Sequence, residues 1–188
     1  MSVLNRLLAG LRGLAVRLVW LSGALLIIAA AIVAIDVTVR KLFNLSLGGA
    51  DEITGYAFGI SIMLSLPYAL LHRSNIRIDV VYQHLGSRLR AVLDVLGMIL
   101  LTGFIGYVAW RGWFLLLDTY ANGSRSITPL RTPLGIPQTA WLAGLILAVL
   151  TGLALIAAGI SGLVRQEWQA VGRLLGIPTV EEQIEDEI

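Results

Sequence analysis

The chain has 188 residues, of which 57% are apolar and only 14% charged, with a formal net charge of +2 and a mean hydropathy of +0.82. A soluble domain carries about a quarter charged residues, so the balance excludes an ordinary soluble fold and points to the membrane class. The basic residues sit at the ends of apolar stretches, where membrane topology accounts for them without nucleic acid. The absence of cysteine excludes disulfides, thiolate metal sites and cysteine nucleophiles.

The chain opens with a segment, residues 1–17, that carries Arg6, Arg12 and Arg17. A first apolar run follows from Leu18 to Val39, long enough for the ~20 residues that cross a ~30 Å hydrocarbon core. A basic start before an apolar run also fits a secretory signal, with Ala29 to Ala31 as a crude cleavage site. The run exceeds a signal core and seventeen residues precede it, which favours an uncleaved span. Near its far end Asp36 and Arg40 stand four apart on one helix face, able to pair and shallow enough to reach the interface.

The second run extends from Ile53 to Leu71, preceded by Asp51 and Glu52, where acidic groups favour a helix N-terminus. It carries Gly55 and Gly59, then Ser61, Ser65 and Ala69, and a break is expected at Pro67. The loop after it, from His72 to Gly86, holds Arg73 and Arg77, with Arg88 and Arg90 just beyond. Its apolar positions Ile76, Val80 and Leu85 fit an amphipathic helix on the membrane surface. An ordinary basic loop fits them equally well.

The third run covers Val92 to Leu117, with Asp94 near its start and Arg111 between Trp110 and Trp113 in an expected aromatic belt. The connection to the fourth run contains Pro129, Pro133 and Pro137, each fixing φ and removing a donor. That connection is expected to be stiff and non-helical, with Pro137 near the start of a helix. The fourth run, Gln138 to Val164, repeats small residues at Gly144, Ala148 and Gly152, the spacing that lets helices approach closely in lipid. An acidic end from Glu181 to Glu187 reads as a solvated tail.

Continuous apolar runs of this length are helices, because only helices and closed barrels satisfy their backbone in lipid. The expected fold is therefore all-α, with four transmembrane helices in one unit over residues 18–165 and a tail over 166–188. Nine basic residues fall on the side of the termini and the middle loop. Five fall opposite: Arg40, Lys41, Arg111, Arg125 and Arg131. The positive-inside rule then places both termini in the cytoplasm.

Chemistry is sparse. The two histidines, His72 and His84, both lie in the basic loop, so no span offers haem ligands or a base for a serine hydrolase. No zinc ligand spacing, phosphate-binding glycine loop or dinucleotide fingerprint occurs. No catalytic, cofactor or metal site is expected. A carrier acting alone is also disfavoured, because no span has a charge at its centre and repeated broken helices are missing.

The run Gly49-Ala50-Asp51-Glu52-Ile53-Thr54-Gly55-Tyr56 continues through Leu70-Leu71-His72-Arg73 to Asn75-Ile76-Arg77-Ile78-Asp79-Val80. Later come Thr128-Pro129-Leu130, Thr132-Pro133-Leu134, then Ile136-Pro137-Gln138 and Trp141. In this order the segments resemble the small permease subunit, or Q subunit, of TRAP (tripartite ATP-independent periplasmic) transporters over roughly residues 18–165. The resemblance implies a bacterial inner-membrane complex with a large permease subunit and a periplasmic substrate-binding protein. It further implies uptake of an organic acid driven by an ion gradient. Asp51, Arg125, Arg131 and Pro133 are candidates for docking the binding protein, with Glu52 beside them. Gly55, Gly59 and Ser61 are candidates for contact with the large permease. The alternative is an accessory or assembly subunit of another membrane complex.

Overall fold

The structure is a computed structural model, which describes residues 3–45, 48–74 and 85–176. Five helices occur among them: α1 (Val3–Phe43), α2 (Ala50–Leu71), α3 (Ser87–Ala121), α4 (Gly135–Val164) and α5 (Trp168–Leu175). The first four are long and apolar enough to cross a membrane. The expected all-α, four-span architecture therefore holds. The proposed surface helix between spans two and three rests on residues 75–84, which lie outside the described residues.

Each helix outruns the apolar stretch that announced it. Hydropathy reports which residues tolerate lipid, whereas helix ends are set by where backbone groups find other partners. Helix α1 runs without interruption through Arg6, Arg12 and Arg17, so residues 3–17 belong to the same helix as the first apolar run. Its 41 residues reach about 61 Å, roughly twice the hydrocarbon thickness. Helix α2 continues through Pro67 to Leu71, so the expected break is absent. Pro67 lacks the amide that would bond the carbonyl of Met63, and the helix continues with that backbone bond missing.

Three helices close in the same way. After α2, α3 and α4 the chain turns through a left-handed residue, namely Arg73, Gly123 and Gln166. The amides of Ser74, Ser124 and Glu167 then reach back to the carbonyls of Ala69, Thr119 and Gly162 at 2.9–3.1 Å. This is the Schellman closure, which usually takes glycine at the left-handed position. Here glycine fills it once.

Across the bundle the main contacts run α1 to α2, α2 to α4 and α4 to α3. Helix α4 is therefore central. Its small residues make the close approaches: Gly144 against the Met63 backbone of α2, Gly152 against Thr102 of α3. Helix α1 is held to α2 partly through the Ser61 hydroxyl, which donates to the Ser22 carbonyl at 3.1 Å inside the apolar layer. Large apolar side chains such as Ile27, Leu100, Phe104 and Leu153 face outward, as a lipid-exposed surface requires.

Beyond Arg165 the chain does not become a free tail. Helix α5 lies across the ends of α3 and α4, burying Val171 and Leu175. Gly159 and Gly162 of α4 provide the seat for Leu175 and Val171, and the Arg88 guanidinium lies 5.7 Å from the Trp168 ring. Residues 168–175 thus pack on the four-span unit. The spacing Trp168, Val171, Leu175 gives an apolar helical stripe, too short to signal a helix alone.

Candidate functional site

A cluster of hydrogen-bonded side chains sits at the end of the bundle that carries the connection between α3 and α4. There Ser124 and Leu134 join through a backbone bond of 3.1 Å, and the Ser126 amide donates to the Thr132 carbonyl at 3.0 Å. An isolated antiparallel bridge pairs Arg125 with Pro133. The segment is thus a narrow finger, with a turn in which the Arg131 amide donates to the Thr128 carbonyl at 3.1 Å. Pro129 sits inside the turn and Arg131 takes a left-handed φ of 47°. Pro133 stands where an edge position tolerates a missing amide. Pro137 is the third residue of α4 and needs no helical partner for its nitrogen.

Glu52 fastens the finger to α2. Its carboxylate is buried and accepts hydrogen bonds from the Tyr56 hydroxyl at 2.8 Å and from the Thr128 hydroxyl. Ser126 and Thr132 also present hydroxyls to this cluster, and the Ser126 and Thr128 hydroxyls lie 2.9 Å apart. Leu130 packs over Gly49, where any side chain would collide with it. On the other flank the Tyr120 hydroxyl bonds Thr139 at 3.0 Å, while its ring covers Gly135. A buried carboxylate is tolerated only when hydrogen-bonded, and here the finger supplies the donors.

What the finger leaves outside is equally specific. Ile127 at its tip is fully exposed. Arg125 and Arg131 flank it, both exposed, and the Arg125 guanidinium donates to the Arg131 carbonyl at 3.2 Å. Asp51 is exposed at the head of α2, beside a groove between α1 and α2 lined by Ala29, Val33, Thr54 and Phe58. Buried Asp36 pairs with Arg40 on α1.

The sequence candidates therefore separate into three groups. Arg125, Arg131 and Pro133 share the finger, with Asp51 near its base. Glu52 is turned inward as its anchor, so the role expected for it at the helix N-terminus is not the main one. Gly55 and Gly59 lie open, with nothing near the position a side chain would take. Ser61, by contrast, is buried against α1, so it is not on the face that Gly59 presents. Helical spacing placed these residues on neighbouring positions, but only the packing tells which side α1 occupies.

Sequence reasoning missed Tyr56, Thr128 and Ile127. The Glu52–Thr128 pair spans 76 positions, and no local pattern links the two. A second groove also escaped notice. It holds about 160 Å³ between α2 and α4, lined by Gly55, Tyr56, Gly59, Pro137, Gln138 and Trp141. The Gln138 side-chain oxygen Oε1 beside it is buried with no hydrogen-bond partner among the described residues. Among the described residues no group of acidic or histidine side chains is placed to hold a metal ion.

Searches of curated proteins and of solved structures gave no match. A family model described as the DctQ component of tripartite ATP-independent periplasmic transporters matches residues 29–162, more than two-thirds of the chain. The match covers α2 and α3 entirely and α1 and α4 in part, and includes the Glu52 cluster, the finger and the groove between α2 and α4. The chain belongs to this family and is a multi-pass membrane protein, the small permease component of a TRAP transporter and not an enzyme.

Proposed function

We propose that this subunit braces the large permease through the open face of α2 and offers the finger to the periplasmic binding protein. The observation that carries the reading is the unused state of Gly55 and Gly59. In α4 the glycines Gly144, Gly152 and Gly159 are each filled by a neighbour, whereas nothing approaches Gly55 or Gly59. Small residues in lipid earn their place by admitting another helix. Both flanking grooves and the unpartnered Gln138 oxygen lie beside this strip, so a helix seated there would gain packing and one hydrogen bond.

On this reading the protein sits in the bacterial inner membrane with both termini in the cytoplasm. The finger then stands on the periplasmic side, where a soluble binding protein would meet Ile127 between two arginines. An exposed apolar tip ringed by charge is the usual composition of a contact patch. The complex would take up an organic acid at the expense of an ion gradient, as the family resemblance implies.

Co-purification with the large permease tests the bracing role. Gly59→Leu should abolish recovery of the pair while the isolated subunit keeps its helix content. Ser61→Leu should instead damage the subunit itself, because it intrudes between α1 and α2. Recovery of the intact pair with Gly59→Leu refutes the α2 face. Reversal of Arg125 and Arg131 to glutamate should weaken the binding protein and lower uptake; unchanged affinity and uptake refute the finger's role.

A further inference from the structure

At the opposite end of the bundle the structure holds a second chemical feature, separate from both surfaces above. A cavity of about 420 Å³ lies between the first turns of α1, the last turns of α4 and α5, within the roughly 300–1,000 Å³ typical of small-molecule pockets. Leu4, Leu8, Ala158 and Leu174 form its apolar walls, and Arg165 and Glu167 stand at its rim. These two flank the left-handed Gln166 in the Schellman turn that joins α4 to α5. The backbone bond from Glu167 to Gly162, at 2.9 Å, fixes their spacing. Neither side chain enters an ion pair or side-chain hydrogen bond among the described residues.

We propose that this cavity binds a phospholipid whose headgroup carries a phosphate next to a primary ammonium, as in phosphatidylethanolamine. The position supports a lipid, because Arg165 caps the helix where the apolar run of α4 ends at Val164, at the level of a headgroup layer. Leu4, Leu8, Ala158 and Leu174 give an acyl chain an apolar seat, while Ser161, Arg165 and Glu167 supply the polar side on which a headgroup would lie. The rim selects the class. An arginine alone suits any phosphate, but Glu167 repels a headgroup with only negative charge. A cation and an anion two residues apart match a zwitterion, with the phosphate on Arg165 and the ammonium on Glu167. A quaternary ammonium lacks the N–H groups that would donate to the carboxylate, which sets phosphatidylcholine apart.

Native mass spectrometry of the purified full chain tests this, after exchange into detergent with equal amounts of phosphatidylethanolamine, phosphatidylglycerol and phosphatidylcholine. The wild type should retain phosphatidylethanolamine over the other two by about two- to fivefold, the scale of one exposed ion pair. Glu167→Gln should erase that preference, and Arg165→Gln should lower retention of all three. Ala170→Phe, which fills the cavity from an exposed position on α5, should remove the bound lipid with helix content unchanged by circular dichroism. Equal retention of the three lipids, preference for phosphatidylglycerol, or full retention in Ala170→Phe would each overturn the proposal. So would a second copy of the chain appearing in place of lipid. Phosphorylethanolamine without chains should fail to compete; effective competition would show a headgroup site without the acyl seat and would also overturn it.

Discussion

Gly144 and Pro67 form a pair whose members explain each other. The missing amide of Pro67 leaves the carbonyl of Met63 without its helical partner, and Gly144 of α4 packs against the backbone at Met63. A methyl group on Gly144 would lie 2.6 Å from the Met63 carbonyl carbon, a backbone atom that cannot swing aside. Gly144→Ala should therefore cost about 1–3 kcal/mol, the range of an overpacked core, and lower the thermal midpoint in detergent. Gly59→Ala, in open space inside a helix, should leave that midpoint in place or raise it slightly. Glu52 is the other residue with a sharp expectation. Hydrogen bonds to a charged group are worth about 1.5–3 kcal/mol, so Glu52→Gln should loosen the finger without unfolding the spans. Tryptic cleavage after Arg125 and Arg131 should then accelerate roughly tenfold, the equivalent of about 1.4 kcal/mol. The small residues at 144 and 59 look alike in sequence. Their different fates depend on which neighbour each face meets, and spacing along one helix does not contain that fact.

Among the elements, the spans were the most legible, because hydrocarbon imposes a length that any chain must meet with apolar residues. The finger was legible only in part. Three prolines announced a stiff, non-helical connection, but its pairing and its anchor at Glu52 arise from contacts distant in sequence. Helix α5 was hidden for a different reason. At eight residues it is too short to be stable alone, and it forms because Gly159 and Gly162 leave a seat for Leu175 and Val171. Val171→Asp places a charge in that seat. It should undock α5, raising amide hydrogen exchange over residues 168–175 while exchange in the middle of α3 and α4 stays slow. Protection of 168–175 in this variant would show that α5 holds by some other contact.

For the molecule as a whole, the proposed arrangement across the membrane rests on the charge asymmetry of the sequence. The finger lies at one end, and the N-terminus of α1, the start of α3 and α5 gather at the other. Because the sequence has no cysteine, single substitutions report position directly. Asn122→Cys, beside the finger, should react with an impermeant maleimide added to intact spheroplasts. Ser87→Cys, at the start of α3, should react only after the membrane is opened. The reverse pattern would invert the orientation and with it the face offered to a periplasmic partner.

The central place of α4 also bears on how the protein is made. Chains fold from the N-terminus during synthesis, and here α1 and α2 can join as soon as both are in the bilayer. Helix α3 follows, yet its main neighbours are α4 and α5, and neither exists when it enters the membrane. During that interval its buried stripe, from Ala91 through Met98 and Ile105 to Leu116, faces lipid or a helper. Emergence of the fourth span then unites two separate parts at once, along Gly144 on one side and Gly152 on the other. The fourth span is thus the one that turns separate insertions into a packed bundle.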